Sequence, residues 1–109
     1  MPPSVIRRAI GAFPSNVAFA GAYGQTETTS TVAVLDPDDH TIDGDEAQQA
    51  LKLKRLSSVG KVLDDVEVRV IDEAGSVCEP GVLGEVQLRT FRAMDGYWGN
   101  EEKTRVTVD

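Results

Sequence analysis

Between Val66 and Thr90 the chain alternates apolar with polar residues in two runs, and turn-forming residues separate them. In the first run Val66, Val68 and Val70 alternate with Glu67, Arg69 and Ile71, the period of a strand with one face buried. Asp72-Glu73-Ala74-Gly75 then offers a tight turn, so Ser76-Val77-Cys78 is expected to return antiparallel. Glu79-Pro80-Gly81-Val82 reads as a type II turn, with Pro presetting φ and Gly accepting the left-handed position. The second run, Gly84 to Thr90, puts Val86 and Leu88 inward and Glu85, Gln87 and Arg89 outward. These signals predict a largely antiparallel β unit, a small distorted barrel or sheet, over residues 58–109.

The preceding residues have a different character. Asn16-Val17-Ala18-Phe19-Ala20 is short and apolar and suits a buried strand running into the loop Gly21-Ala22-Tyr23-Gly24. From Thr26 to Leu35, Thr and Val favour a strand, although Glu27 and the Ser/Thr run could equally open a short helix. The Asp-rich stretch from Asp36 to Glu46, with Pro37 and Gly44, is expected to be a solvated loop, because Asp bonds its own local backbone. Asp45 can cap a helix through Lys54, with acids at its start and bases at its end to match the helix dipole. The expectation is an α+β chain: a strand-loop segment torn from an α/β layer (1–35), an acidic loop with a short helix (36–57), and the β unit (58–109).

Charge and cysteine usage narrow the function classes. Acidic residues exceed basic ones to give a formal charge of −7, so the surface should repel nucleic acid and anionic membranes. Any nucleotide would have to be held by local groups, such as backbone N–H donors or a carboxylate-held cation. The single Cys78 allows no internal disulfide, and with His40 alone a Cys/His zinc site lacks ligands. His40, beside Asp38 and Asp39, reads as a solvated loop histidine, and Cys78 as a small, partly buried strand residue. No apolar run approaches the roughly 18 residues that span a bilayer, and no secretory leader is evident, so a reducing, cytoplasmic setting is expected.

One motif goes beyond fold class. Tyr23-Gly24-Gln25-Thr26-Glu27-Thr28 resembles the YGxTE signature of adenylate-forming (AMP-binding) enzymes. Further features of that superfamily follow in order: Ser58-Val59-Gly60-Lys61, Val68 to Asp72 with Gly75, Pro80-Gly81, Gly84-Glu85-Val86, and Met94-Asp95-Gly96-Tyr97-Trp98 with Glu102 and Thr104. The resemblance covers about Phe13 to Asp109 and points to the acyl-CoA synthetase branch, with long-chain fatty acid-CoA ligases among the similar patterns. It implies ATP/AMP, Mg²⁺ and coenzyme A as cofactors and a small carboxylic acid, a fatty acid first, as substrate. It also implies that Tyr23 packs on adenine, Thr26 bonds the α-phosphate or adenylate, and Glu27 holds Mg²⁺, with Thr26 and Glu27 the catalytic pair. Gly21, Ala22, Gly24 and Gln25 complete the implied nucleotide-binding set, the small Gly21 and Ala22 leaving room for an acyl chain.

The chemistry suits those roles. Displacement at phosphorus needs positioning and charge neutralisation more than covalent help. Glu27 offers a hard oxygen ligand, Thr26 a hydroxyl small enough to approach phosphate, and Gly24 the lack of a side chain that would obstruct the nucleotide. Each has an ordinary alternative. Tyr23 suits a strand end, Glu27 a first-turn helix carboxylate, and Gly96-Tyr97-Trp98 turn and aromatic packing within the β unit.

The pattern departs at Val62 and Thr90, where relatives often carry Pro and Gly. The phosphate loop, the Thr-Gly-Asp that holds ribose and the C-terminal catalytic lysine of such enzymes are not found, so the chain is expected to be an internal fragment, inactive without the remainder of its parent. Two alternatives stay open: another adenylate-forming enzyme (aryl-acid ligase, peptide-synthetase adenylation domain, luciferase-like), or a stand-alone β interaction module in which YGQTE is fortuitous.

Overall fold

A computed structural model describes residues 2–108, which divide into two compact units. One unit comprises residues up to Tyr23 together with Ala33–Lys61; the other comprises Gly24–Val32 and the chain from Val62 onward. The elements are helix α1 (Pro3–Ala12), strands β1 (Gly21–Gly24) and β2 (Thr31–Leu35), helices α2 (Pro37–His40) and α3 (Glu46–Arg55), strands β3 (Lys61–Val62), β4 (Glu67–Ile71) and β5 (Glu85–Arg89), and helix α4 (Glu101–Thr107). β1, β2 and β3 form an open sheet in the order β1-β2-β3, and β4 pairs with β5 in a sheet of their own. The α+β expectation is met with open sheets, not a closed barrel.

In the first unit, α1 has Pro3 in its opening turn, where a missing N–H costs nothing, and turns Ile6, Ala9 and Ile10 to its half-buried face. This helix is an addition to the elements read from sequence. The expected buried strand over residues 16–20 does not form. Val17 N–H turns back to Pro14 O at 3.0 Å, Val17 stays exposed, and Phe19 packs edge-to-face on Phe13 at 5.5 Å between ring centres. The apolar composition there serves a turn and an aromatic pair; the strand begins only at Gly21.

The acidic stretch also departs from expectation, because Pro37 opens the single-turn helix α2. That turn buries His40, whose Nδ1 lies 2.9 Å from Asp36 O, so the histidine is a core group and not a solvated one. Asp39 pairs with Arg55 of α3 at 3.2 Å. α3 starts as expected at Asp45, whose carboxylate accepts from Gln48 N–H while the Gln48 side chain accepts from Asp45 N–H, each at 2.9 Å. No residue of α3 proper is buried; Leu56, which ends it, is 1% exposed. Gly60 (φ +92°) is required on two counts, since a Cβ there would also stand 1.9 Å from Val34 O.

In the second unit, β4 and β5 run antiparallel with Val68 opposite Leu88 and Val70 opposite Val86. The turn after β4 is as read: Asp72 caps Ala74 and Ser76 through its carboxylate, and Cys78 N–H returns to Val70 O at 2.8 Å. Val82 N–H closes the Glu79 turn at 3.1 Å. The inward face is less covered than the alternation predicts. Val66 is buried and Leu88 half-buried, but Val68 is 41% and Val86 58% exposed, because a two-stranded ribbon has no second layer of its own. Residues 101–107 form α4, capped by Asn100, whose side chain accepts from Lys103 N–H at 3.0 Å. Among the described residues no helix is long and apolar enough to cross a membrane.

Candidate functional site

The chain leaves β1 at Gly24 and makes one 3-10 turn over Thr26–Thr28 before β2. Gly24 is fixed by its own backbone surroundings: a Cβ would lie 2.2 Å from Ser30 O and 2.8 Å from Thr31 Cα. Its lack of a side chain is thus explained by close packing within the loop. Thr28 is buried and spends its hydroxyl on Gln25 O and Ser30 O, at 3.0 and 3.2 Å. Thr29 closes the turn in the left-handed region (φ 65°, ψ −29°). A β-branched residue held there stores on the order of 1–3 kcal/mol. It is held by a 2.6 Å hydrogen bond from its hydroxyl to Arg92 O.

The segment 92–97 secures the rest of the loop. Arg92 donates to Thr31 O through Nη1 at 2.8 Å and grips Asp65 with Nε and Nη2, at 2.7 and 3.2 Å. That pairing holds the Asp65 carboxyl below its ordinary range. Met94 N–H donates to Glu27 O at 2.9 Å, and the Tyr97 hydroxyl donates to Glu27 Oε1 at 2.5 Å. The phenol bond is the main reason the Glu27 carboxyl is shifted down, with its own backbone and Lys103 adding to it. The same bond raises the Tyr97 hydroxyl. Tyr97 is fixed in turn by its N–H on Thr104 Oγ1 at 2.8 Å and by Lys103 Nζ, 4.2 Å from the ring centre.

Gly24, Gln25 and Thr26 line an open hollow of about 410 Å³ together with Thr29, Ser30 and Thr31. Thr26 is exposed and Glu27 half-buried. Gly21, Ala22 and Tyr23 lie in β1, with Tyr23 41% exposed. Sequence reading missed Thr29 and Arg92 altogether and placed Tyr97 in aromatic packing. Tyr97 instead donates its hydroxyl to Glu27, and the adjacent Trp98 is fully exposed. Backbone strain at a threonine leaves no mark in sequence, and a bond between positions 27 and 97 has no local signal.

Among the described residues no cluster of three or more His, Cys, Asp or Glu could hold a metal ion by itself. A single ionised carboxylate beside an exposed hydroxyl does suit Mg²⁺, which commonly takes one or two carboxylates and completes its shell with phosphate oxygens and water.

Comparison with known proteins shows the family. The AMP-binding enzyme family matches residues 1–98. A fatty acid–[acyl-carrier-protein] ligase, ScoC of Streptomyces coeruleorubidus, is 38% identical over 83% of this chain, and the human mitochondrial medium-chain acyl-CoA ligase ACSF2 is 30% identical over 99%. The chain spans 16% of the length of each. The amide bond synthetase McbA of Marinactinospora thermotolerans superposes over 99% of this chain and 19% of its own, with a TM-score of 0.77 at 30% identity. With a match that runs over residues 1–98 and includes the Tyr23 to Thr28 signature, this chain belongs to the AMP-binding enzyme family.

Proposed function

We propose that this chain is part of an ATP-dependent acid–thiol ligase and contributes one wall of its AMP and Mg²⁺ site. In that reaction a carboxylate oxygen attacks the α-phosphorus of ATP, the bond to pyrophosphate breaks, and acyl-AMP forms. A thiol then attacks the acyl carbon and AMP leaves. The observation that carries the reading is an ionised Glu27, pinned through its side chain and its backbone, one residue from the exposed hydroxyl of Thr26. Glu27 would hold Mg²⁺, which neutralises phosphate charge; Thr26 would bond the α-phosphate and Tyr23 would pack on adenine. Gly21 and Ala22 would leave room for the acyl group, and Gly24 and Gln25 would border the nucleotide.

In this reading residues 1–35 supply the strand and nucleotide loop, 36–57 an acidic connector, and 58–109 the β unit. The acid is a fatty acid first, in keeping with the names of the ScoC and ACSF2 relatives, and the setting is cytoplasmic, in keeping with a single cysteine. Coenzyme A is the first thiol acceptor. A carrier-protein thiol is the second, favoured by the 38% identity to ScoC.

The test is acid-dependent exchange of labelled pyrophosphate into ATP by the native full-length protein, across fatty acids of graded length and aryl acids. Exchange with fatty acids that is lost in Glu27→Ala is the expected result. Absence of exchange with every acid overturns the reading. The 109-residue chain by itself is expected to make neither acyl-AMP nor thioester, since its sequence lacks the phosphate loop and catalytic lysine motifs.

A further inference from the structure

We propose that Tyr97 is a positioning residue for Glu27, its hydroxyl committing one carboxylate oxygen and leaving the other for a divalent cation. The proposal rests on the adenylate-forming reading above. Glu27 is tied at two points to one short segment, by its backbone oxygen to Met94 N–H and by Oε1 to the Tyr97 hydroxyl. Two-point attachment removes the rotation that a loop glutamate otherwise keeps. A phenol donating to a carboxylate makes a strong, short, charge-assisted bond.

The phenol itself is immobilised before it reaches Glu27. Tyr97 N–H is held by Thr104 in α4, and the Thr104 hydroxyl in turn donates to Asn100 O at 2.9 Å. Lys103 covers the ring face. Gly96 permits this approach, because a Cβ there would sit 2.6 Å from Thr104 Cγ2. Asn100 caps α4, Thr104 and Lys103 hold Tyr97, and Tyr97 holds Glu27. Partners of this kind behind a metal-binding carboxylate orient it and tune its basicity, and their loss typically weakens metal affinity or activity about 10–100-fold.

The experiment compares wild type with Tyr97→Phe, Lys103→Met and Glu27→Gln in the native full-length protein. Mn²⁺ affinity is read by electron paramagnetic resonance with a non-hydrolysable ATP analogue, and the Glu27 carboxyl is titrated by carbon-13 NMR. Tyr97 and Lys103 are the side chains that act on Glu27, so their variants separate the two contributions. Tyr97→Phe, which keeps the ring, is expected to weaken Mn²⁺ about 10-fold. It also moves the Glu27 titration and the acid limb of kcat/KM to higher pH, because the bond that held the carboxyl down is gone. Lys103→Met moves both in the same direction by less. Glu27→Gln keeps an acceptor for Tyr97 and loses the cation. Unchanged Mn²⁺ affinity and an unmoved Glu27 titration in Tyr97→Phe overturn the proposal, whatever happens to the melting temperature. A wild type with no acid-dependent exchange removes the enzymatic reading, while the NMR titration still decides whether Tyr97 governs Glu27.

Discussion

Helix α3 is closed by bonds between near neighbours, Asp45 with Gln48 and Gly44 with Gln49, whereas the loop from Gln25 to Thr31 is closed by partners more than sixty positions away. Both begin with a residue that the backbone demands, Asp45 as cap and Gly24 as close-packing glycine. Beyond that they differ in kind. The helix carries its own start signal and takes from the rest of its unit the burial of Leu56 and the Asp39 partner of Arg55. The loop has a local turn but takes the orientation of its one carboxylate from Tyr97 and its strained Thr29 from Arg92. A site built this way keeps its geometry only while the later part of the chain is folded, so local opening there should be felt at Glu27.

The largest expected effect strikes the helix where its local signals give no protection. Leu56→Ala should destabilise the chain by about 2–5 kcal/mol in urea unfolding, as cavity-forming core truncations do. A change within error would mean that α3 does not depend on that one buried side chain. Next, Gly24→Ala should cost about 1–3 kcal/mol by overpacking, since its Cβ would meet Ser30 O, and it should also disturb the amide resonances of Thr26 to Thr31. An unperturbed loop would show that the glycine is there for a ligand and not for the backbone.

Asp45→Ala should remove about 0.5–2 kcal/mol and speed amide exchange in the first turn of α3 without moving the Tyr97 resonances. Spread of the effect to Tyr97 would break the contrast between local and distant closure.

The smallest effect is a pH dependence. Glu27 sits below its ordinary value of 4.5 because Tyr97 donates to the charged form. Its contribution is therefore present above that ordinary value and is lost as pH falls through the lowered one. Wild type should lose more stability than Tyr97→Phe on acidification across that window, as read by urea midpoints at matched pH. Parallel pH curves for the two would mean that the bond carries no linkage. Asp65 and Asp43, also lowered by their partners Arg92 and Lys52, titrate alike in both proteins and cancel in the difference.

The features legible in sequence are those whose cause lies within a few residues. The Asp45 capping box, the Asp72 and Glu79 turns and the pairing of the two alternating runs all appear where the residues place them. α1 also had a signal, Pro3 followed by Ile6, Ala9 and Ile10, but it begins inside the N-terminal stretch that was read only for a leader. The strand expected at 16–20 failed because apolar composition says nothing about whether a ladder partner is in reach. His40 was misplaced because α2, one turn long, is too short to leave a periodic pattern and yet enough to bury the ring.

For the candidate site, the sequence by itself determined the signature segment, Tyr23 to Thr28, and the kinds of group it offers: a carboxylate, a hydroxyl and a glycine. It also determined the family, through motifs spread in order along the chain. Only the tertiary structure decided how those groups are held: Gly24 against Ser30, Thr29 in a left-handed conformation under Arg92, and Glu27 on the phenol of Tyr97. The physical reason is reach. Caps and turns are closed by neighbours that the chain must bring together, while an orienting hydrogen bond across seventy positions exists only after the intervening chain has packed.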